Sequence, residues 1–231
     1  YRHKIFINIS KKVFILLYLL PSMNLLKGTE DKSLKFLALF FLLIALAHLV
    51  LDFYEGMPRV FLWFCVTLIL MLAIGLYYKN ILIISSIVAS SFIIELLWAI
   101  DVISFSITGK LIIGTAAYLY SISFSRYILT FFHLFVLIIP IFLVFMFKEF
   151  HKFSWAFSSI HFFAVSVITL LFTNSGINCV RGSCELGVFN FVYNIKPDLL
   201  PYFIFHWLGL SLILFIPTHL LFYFIIKKLK K

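Results

Sequence analysis

The sequence has little charge and few residues that break helices. Only 12% of its 231 residues are charged, and it contains 9 glycines and 6 prolines. A soluble domain has about 25% charged residues, so a water-soluble enzyme is excluded. Intrinsic disorder is excluded as well, because it requires few apolar residues. The chain also lacks a GxSxG nucleophile motif and a glycine-rich phosphate-binding loop.

Apolar residues fill most of the chain. They make up 64% of it, Phe alone occurs 30 times, and the mean hydropathy is +1.13. Soluble domains are about 45–50% apolar, so this chain has more apolar surface than one core can bury. The sequence therefore predicts an integral membrane protein whose partners are membrane lipids.

Six windows are long and apolar enough to cross a bilayer as helices, which takes about 20 residues. The sequence predicts an all-α, polytopic helix bundle with a transmembrane domain at 34–226, preceded by a segment at 1–33 and followed by a basic tail at 227–231. The predicted spans are Leu34–Phe53, Pro58–Tyr78, Ile81–Asp101, Tyr127–Phe147, Phe153–Thr173 and Leu200–Ile226.

Two further apolar stretches are too short or too interrupted to span. The stretch at 13–26 contains Pro21 and is predicted to be an amphipathic or half-inserted helix. The stretch at 111–125 contains Gly and small polar residues, and we expect it to be re-entrant or interfacial.

The positive charge is distributed unevenly between the two sides of this topology. Fourteen of the 19 Lys and Arg residues fall on the side that holds both termini. Basic residues concentrate on the cytoplasmic side of membrane proteins, so both termini are predicted to lie in the cytoplasm, in a plasma (inner) membrane. The clusters alternate with apolar runs and form no basic stripe, so nucleic-acid binding is not expected.

Ionisable side chains within the spans are the candidate functional residues, because such groups are expensive in lipid. The predicted topology places six of them at similar depth, in a hydrated cavity that opens away from the cytoplasm. Asp101 and His133 are the predicted acid–base pair. His48 and Asp52 lie four residues apart on one helix face. The supporting residues are Glu95 and His206.

Three readings of this group of residues remain open. A membrane-embedded enzyme that acts on a lipid or isoprenoid is the first, and a small proton-coupled transporter is the second. In the third, the polar groups only form hydrogen bonds between helices of a structural subunit. A divalent metal would be held by His48, Asp52, His133 and His206, although no HExxH spacing occurs.

The three cysteines divide into a pair and a single residue. Cys179 and Cys184 flank a four-residue loop on the predicted outer side, where a disulfide is favoured. Cys65 lies within the second predicted span and is expected to be inert packing.

Several short motifs resemble those of an uncharacterised family of small bacterial multi-span membrane proteins. They are ELLWAID at 95–101, GKLIIGTAAYLY, FFHLFVLIIP, GINCV and IPTHLL, in this order. The resemblance implies a similar architecture. The chain departs from the family's pattern at GINCV, where Gly and Cys stand in place of Asn and Trp. The matching candidate residues are Trp98, Asp101, Tyr118, His133, Asn178 and His219.

A His before a Pro in a middle span is also similar to intramembrane fatty-ester hydrolases that pair a Thr with a His. The comparable place in the first span reads KFLALFF, with Ala38 where the nucleophile would stand. A hydrolase with that pair of residues is therefore not expected.

Overall fold

A computed structural model describes residues 30–56, 62–120, 123–172 and 199–230. These residues are helical, with no strand in the ranges just given, which confirms the all-α prediction. The 3₁₀ turn Ala117–Tyr120 and a π-helical segment, Ser211–Phe215, accompany eight α-helices. In chain order these are α1 Glu30–Tyr54, α2 Phe64–Tyr77, α3 Ile81–Thr108, α4 Phe124–Thr130, α5 Phe132–Phe147, α6 Ser154–Phe172, α7 Leu199–Leu210 and α8 Ile216–Leu229.

Five helical stretches in the described chain are long and apolar enough to cross a membrane, as expected of a multi-pass membrane protein. Large apolar side chains such as Phe36, Phe124 and Phe172 remain more than 70% exposed, which suits contact with lipid rather than water. The stretches are Asp31–Tyr54, Ile81–Thr108, Phe124–Phe147, Ser154–Phe172 and Ile204–Leu229.

The second predicted span is shorter than expected. The helix α2 has 14 residues, about 21 Å at 1.5 Å per residue, whereas the hydrocarbon core is about 30 Å thick. It begins only after Trp63, whose backbone is extended. Residues 111–120 form no spanning helix, as predicted, whereas residues 124 and 125 begin the spanning stretch Phe124–Phe147. The predicted helix at 13–26 lies outside the described residues.

The helix α3 is the centre of the bundle. It contacts α2, α5, α6 and α8, and 56% of its most apolar stretch is buried, against 28–39% in the other four long stretches. Asn80 caps its N-terminus by accepting hydrogen bonds from the Leu82 and Ile83 amides. Gly109 ends it in the left-handed conformation at φ 72°, which glycine adopts without a steric penalty.

Small polar residues let α3 and α6 approach closely. Ser85, Ser86, Ser90 and Ser91 of α3 are buried. Ser158 of α6 donates a hydrogen bond across the interface to the Ser86 carbonyl at 2.7 Å. Small side chains at such interfaces bring helix backbones together in membranes, so this contact fixes α6 against α3.

The bundle has two distinct ends. The basic end holds the start of α1, the α2–α3 turn, the start of α6 and the end of α8. There Lys35 and Lys79 each pair with Asp31 at 3.0 Å. The loop end holds the end of α3, the segment 109–120 and the start of α4. The candidate catalytic residues lie between the middle of the bundle and the loop end.

The contact between α2 and α3 depends on Gly75. A Cβ at this position would lie 2.9 Å from Ile83 Cγ2, whereas a Cβ on Gly209 of α7 would meet nothing within 4 Å. We expect Gly75→Ala to lower the thermal stability of the purified protein, since overpacking costs about 1–3 kcal/mol. Gly209→Ala, the matched control, should leave the melting temperature unchanged or raise it. Equal melting temperatures for the two variants would contradict this interpretation of the α2–α3 contact.

Candidate functional site

A buried carboxylate and an imidazole form the centre of the candidate site. His133 Nδ1 lies 2.6 Å from Glu95 Oε2, and joins α5 to α3. Glu95 is 1% exposed and His133 is 7% exposed. With the carboxylate ionised, Nδ1 carries the proton and donates it, which leaves Nε2 as the basic atom of the ring. The pair thus has the arrangement of a histidine base oriented by a carboxylate.

Aromatic rings enclose the imidazole. The Trp98 ring stacks on His133 with centroids 4.5 Å apart, and Phe132 stacks at 4.1 Å. Trp98 Nε1 donates a hydrogen bond to the Tyr118 hydroxyl at 2.6 Å, which ties the segment 109–120 to the site. Burial raises the pKa of Tyr118 well above its ordinary value, so it remains a neutral phenol that can donate a hydrogen bond.

The Cys65 thiol lies on a helix beside the candidate site. It lies in the first turn of α2, which contacts α5, the helix of His133, and it is partly exposed. The sequence predicted inert packing because a single cysteine in an apolar span carries no motif. No spacing in the sequence links Cys65 in the second predicted span to His133 in the fourth.

Asp101 has a different role from the one predicted. Its Oδ1 accepts from the Ile112 and Ile113 amides at 3.0 and 2.7 Å, and its Oδ2 accepts from Thr115 Oγ1 at 2.6 Å and from the Ala116 amide at 3.1 Å. The predicted Asp101–His133 pair is therefore not formed, since these four donors occupy the carboxylate and Glu95 holds the imidazole. Asp101 instead clamps the loop onto α3.

Replacing Asp101 with Asn should release this loop, because the amide nitrogen cannot accept the hydrogen bonds of its donors. Hydrogen bonds to a charged group contribute about 1.5–3 kcal/mol each, so we expect a large loss of thermal stability. The amides of Ile112 and Ala116 should exchange faster with deuterium. Thr115→Ala removes one donor only and should have a smaller effect. An Asp101→Asn protein with unchanged amide exchange in the loop would contradict the clamp.

A second polar cluster joins α1 to the start of α4. Arg126 Nη2 lies 2.8 Å from Asp52 Oδ1, and Arg126 Nε pairs with Glu55. Ser123 Oγ donates to Glu55 Oε1 at 2.8 Å. Asp52 is fully buried, and a buried carboxylate requires a paired charge. The sequence predicted Asp52 as a partner of His48, whereas Arg126 supplies its neutralising charge.

The Glu55–Arg126 pair predicts a pH dependence of stability. The hydrogen bond from Arg126 lowers the pKa of Glu55 below its ordinary value. This stabilisation is therefore fully present above the ordinary pKa of about 4.3, and it is lost as the pH falls through the lowered value. The melting temperature of wild type should fall towards that of Glu55→Gln as the pH decreases below about 4.3. A difference that stays constant with pH would contradict this prediction, and Glu149→Gln serves as a control at the basic end.

The remaining predicted histidines lie in separate places. The His48 ring packs edge-on against Phe132 at 4.9 Å, so it approaches the Glu95–His133 pair from α1. His206 packs against Phe162 at 5.7 Å. His219 bonds through Nδ1 to Ser154 Oγ at 2.7 Å, at the basic end.

The predicted metal ligands are not gathered. No group of three or more His, Cys, Asp or Glu side chains suited to a metal ion occurs within 30–56, 62–120, 123–172 and 199–230. Of the predicted set, Asp52 pairs with Arg126 and His206 packs against Phe162. Asn178 and the predicted disulfide of Cys179 with Cys184 lie outside the described residues.

Comparisons with family models, with curated proteins and with solved structures find no match to this chain.

Proposed function

We propose that this protein is a membrane-embedded enzyme that transfers or hydrolyses acyl groups of a lipid, with Cys65 as nucleophile, His133 as general base and Glu95 as the group that orients the base. The observation that carries this proposal is the hydrogen bond between Glu95 and His133, on two helices that both contact α2, which carries Cys65. A nucleophile, a base and a third group that orients the base are the features that identify covalent catalysis in unrelated folds.

The proposed reaction begins at an ester of the lipid. The thiol proton of Cys65 moves to His133, and the sulfur forms a bond to the ester carbonyl carbon. The carbon–oxygen bond to the alcohol then breaks, and His133 returns the proton to the leaving oxygen. Water or a second hydroxyl attacks the thioester; His133 takes its proton and passes it back to the sulfur. Glu95 stabilises the imidazolium in both halves of the reaction.

The surroundings of the three residues suit this chemistry. Cys65 stands at the N-terminal turn of α2, where a helix favours a developing negative charge. Trp98, Phe132 and buried Glu95 keep the ring in a medium of low polarity, in which hydrogen bonds to charge are strong. Tyr118 supplies a phenol near this group, the type of donor that stabilises an oxyanion.

A lipid is the proposed substrate because the site lies inside an apolar bundle. Cys65 is near the loop end of the bundle, and the ester groups of a bilayer lie at its interfacial regions, next to the ends of spanning helices. With the basic end in the cytoplasm, as the distribution of Lys favours, the loop end would face the opposite side. The lipid would then enter from the outer leaflet.

The test is to trap the acyl-enzyme. Purified protein with Cys179→Ser and Cys184→Ser keeps Cys65 as the one remaining cysteine of the 3. After incubation with 4-nitrophenyl octanoate or a dioleoyl phospholipid, intact-mass spectrometry should detect one octanoyl or oleoyl adduct, which hydroxylamine removes. Cys65→Ala should abolish the adduct and reduce acyl release by at least about a thousandfold, as loss of a nucleophile does.

His133→Gln and Glu95→Gln should slow formation of the adduct. They should also change how the rate of adduct formation depends on pH, whereas the loss of a merely structural contact would leave that dependence unchanged. His219→Gln removes an intramembrane histidine at the basic end and should leave the rate unchanged. Acyl release that survives Cys65→Ala in folded protein, or the absence of any adduct with both acyl donors, would overturn the proposal.

A further inference from the structure

A cavity of about 330 Å³ lies at the basic end, between the α5–α6 connection and the end of α8. It is separate from the Glu95–His133 pair. Three lysines line it, together with one carboxylate, so its net charge is positive at neutral pH. The lining side chains that carry the argument are Lys152, Lys227, Lys230, Glu149, His151 and Tyr223.

The spacing along α8 explains why these lysines converge. Tyr223, Lys227 and Lys230 stand at positions i, i+4 and i+7, which share one face of a helix. Lys228 lies on another face and does not line the cavity. Lys152 approaches from the α5–α6 connection, so positive charge reaches the cavity from two sides.

The floor and wall of the cavity are held by packing and hydrogen bonds. Phe150 is buried and stacks on Phe222 at 5.9 Å. The His151 amide donates to Ser85 Oγ at 3.1 Å, which fixes the connection to α3. These contacts hold the residues around the cavity in place, so the shape of the cavity does not depend only on where the lysine side chains lie.

An apolar side chain lies beside the charges. Phe153 is 55% exposed, and Lys152 Nζ lies 4.9 Å from its ring centroid. An anion with attached acyl chains matches both features, since its phosphate would meet the lysines while its chains would cover the Phe153 ring. A free phosphate would leave that ring exposed.

We infer that this cavity binds the phosphate headgroup of an anionic phospholipid. Basic pockets between transmembrane helices recognise such headgroups. Glu149 also lines the cavity, and its negative charge opposes binding because it repels the phosphate. Binding here would join the start of α6 to the end of α8 through the lipid.

The test measures the melting temperature of detergent-solubilised protein titrated with phosphatidylglycerol, with phosphatidylcholine and with inorganic phosphate. Phosphatidylglycerol should stabilise the protein and the other two should not. Each of Lys152→Gln, Lys227→Gln and Lys230→Gln should weaken apparent binding about fivefold, and the triple variant about a hundredfold. Glu149→Gln should strengthen binding.

Lys228→Gln is the matched control, because it removes the same charge from the same end of α8 outside the cavity, and it should retain full stabilisation. The inference is overturned by an equal loss in Lys228→Gln, by equal shifts with phosphatidylcholine, or by inorganic phosphate that reproduces the full shift. If the triple variant does not fold, the single variants and Glu149→Gln still decide the outcome.

Discussion

A carboxylate buried in the middle of an apolar helix governs the arrangement of this bundle. Glu95 is 1% exposed on α3, and an isolated charge in such surroundings costs several kcal/mol or more. Its hydrogen bond to His133 at 2.6 Å offsets that cost only if α5 keeps one register against α3. The same register stacks Trp98 on the imidazole, and Trp98 in turn holds Tyr118. One requirement, a partner for a buried carboxylate, thus positions four side chains from three parts of the chain.

Two carboxylates on α3 differ in role because they differ in their donors. Asp101 accepts four hydrogen bonds, three from backbone amides and one from Thr115. Donors of this kind stabilise the ionised form and are fixed in place, so the group is suited to holding a loop and poorly suited to exchanging protons. Glu95 is instead hydrogen-bonded to the Nδ1 atom of His133, and imidazole is the side chain that most often transfers protons in catalysis. The position of a carboxylate in a span therefore says little about its chemistry until its donors are known.

The sequence sufficed to predict the all-α membrane bundle, because apolar runs and the cost of polar groups in lipid act along the chain. It also singled out Glu95, Trp98, Tyr118 and His133 as residues of interest. The pairing of these residues was not predictable, since Glu95 and His133 are 38 residues apart and no spacing rule links positions on different helices. Arg126 was not predicted as the partner of Asp52, because its charge was used only to assign the orientation of the spans. The position of Cys65 relative to His133 was not predictable either, since it depends on how α2 packs against α5.

The helix α3 is held at two levels, and this arrangement determines how the site can move. At one level, Ser86 accepts a hydrogen bond from Ser158 of α6; at the other, Asp101 binds the loop that follows α3. These levels are about 22 Å apart along the helix at 1.5 Å per residue, and Glu95 lies between them. A helix fixed at both levels cannot rotate enough to withdraw Glu95 from His133 without breaking one set of contacts. The proposed function therefore requires any opening of the site to involve an element other than α3 and the clamped loop, and the shorter helix α2, which carries Cys65, is held by neither set of contacts.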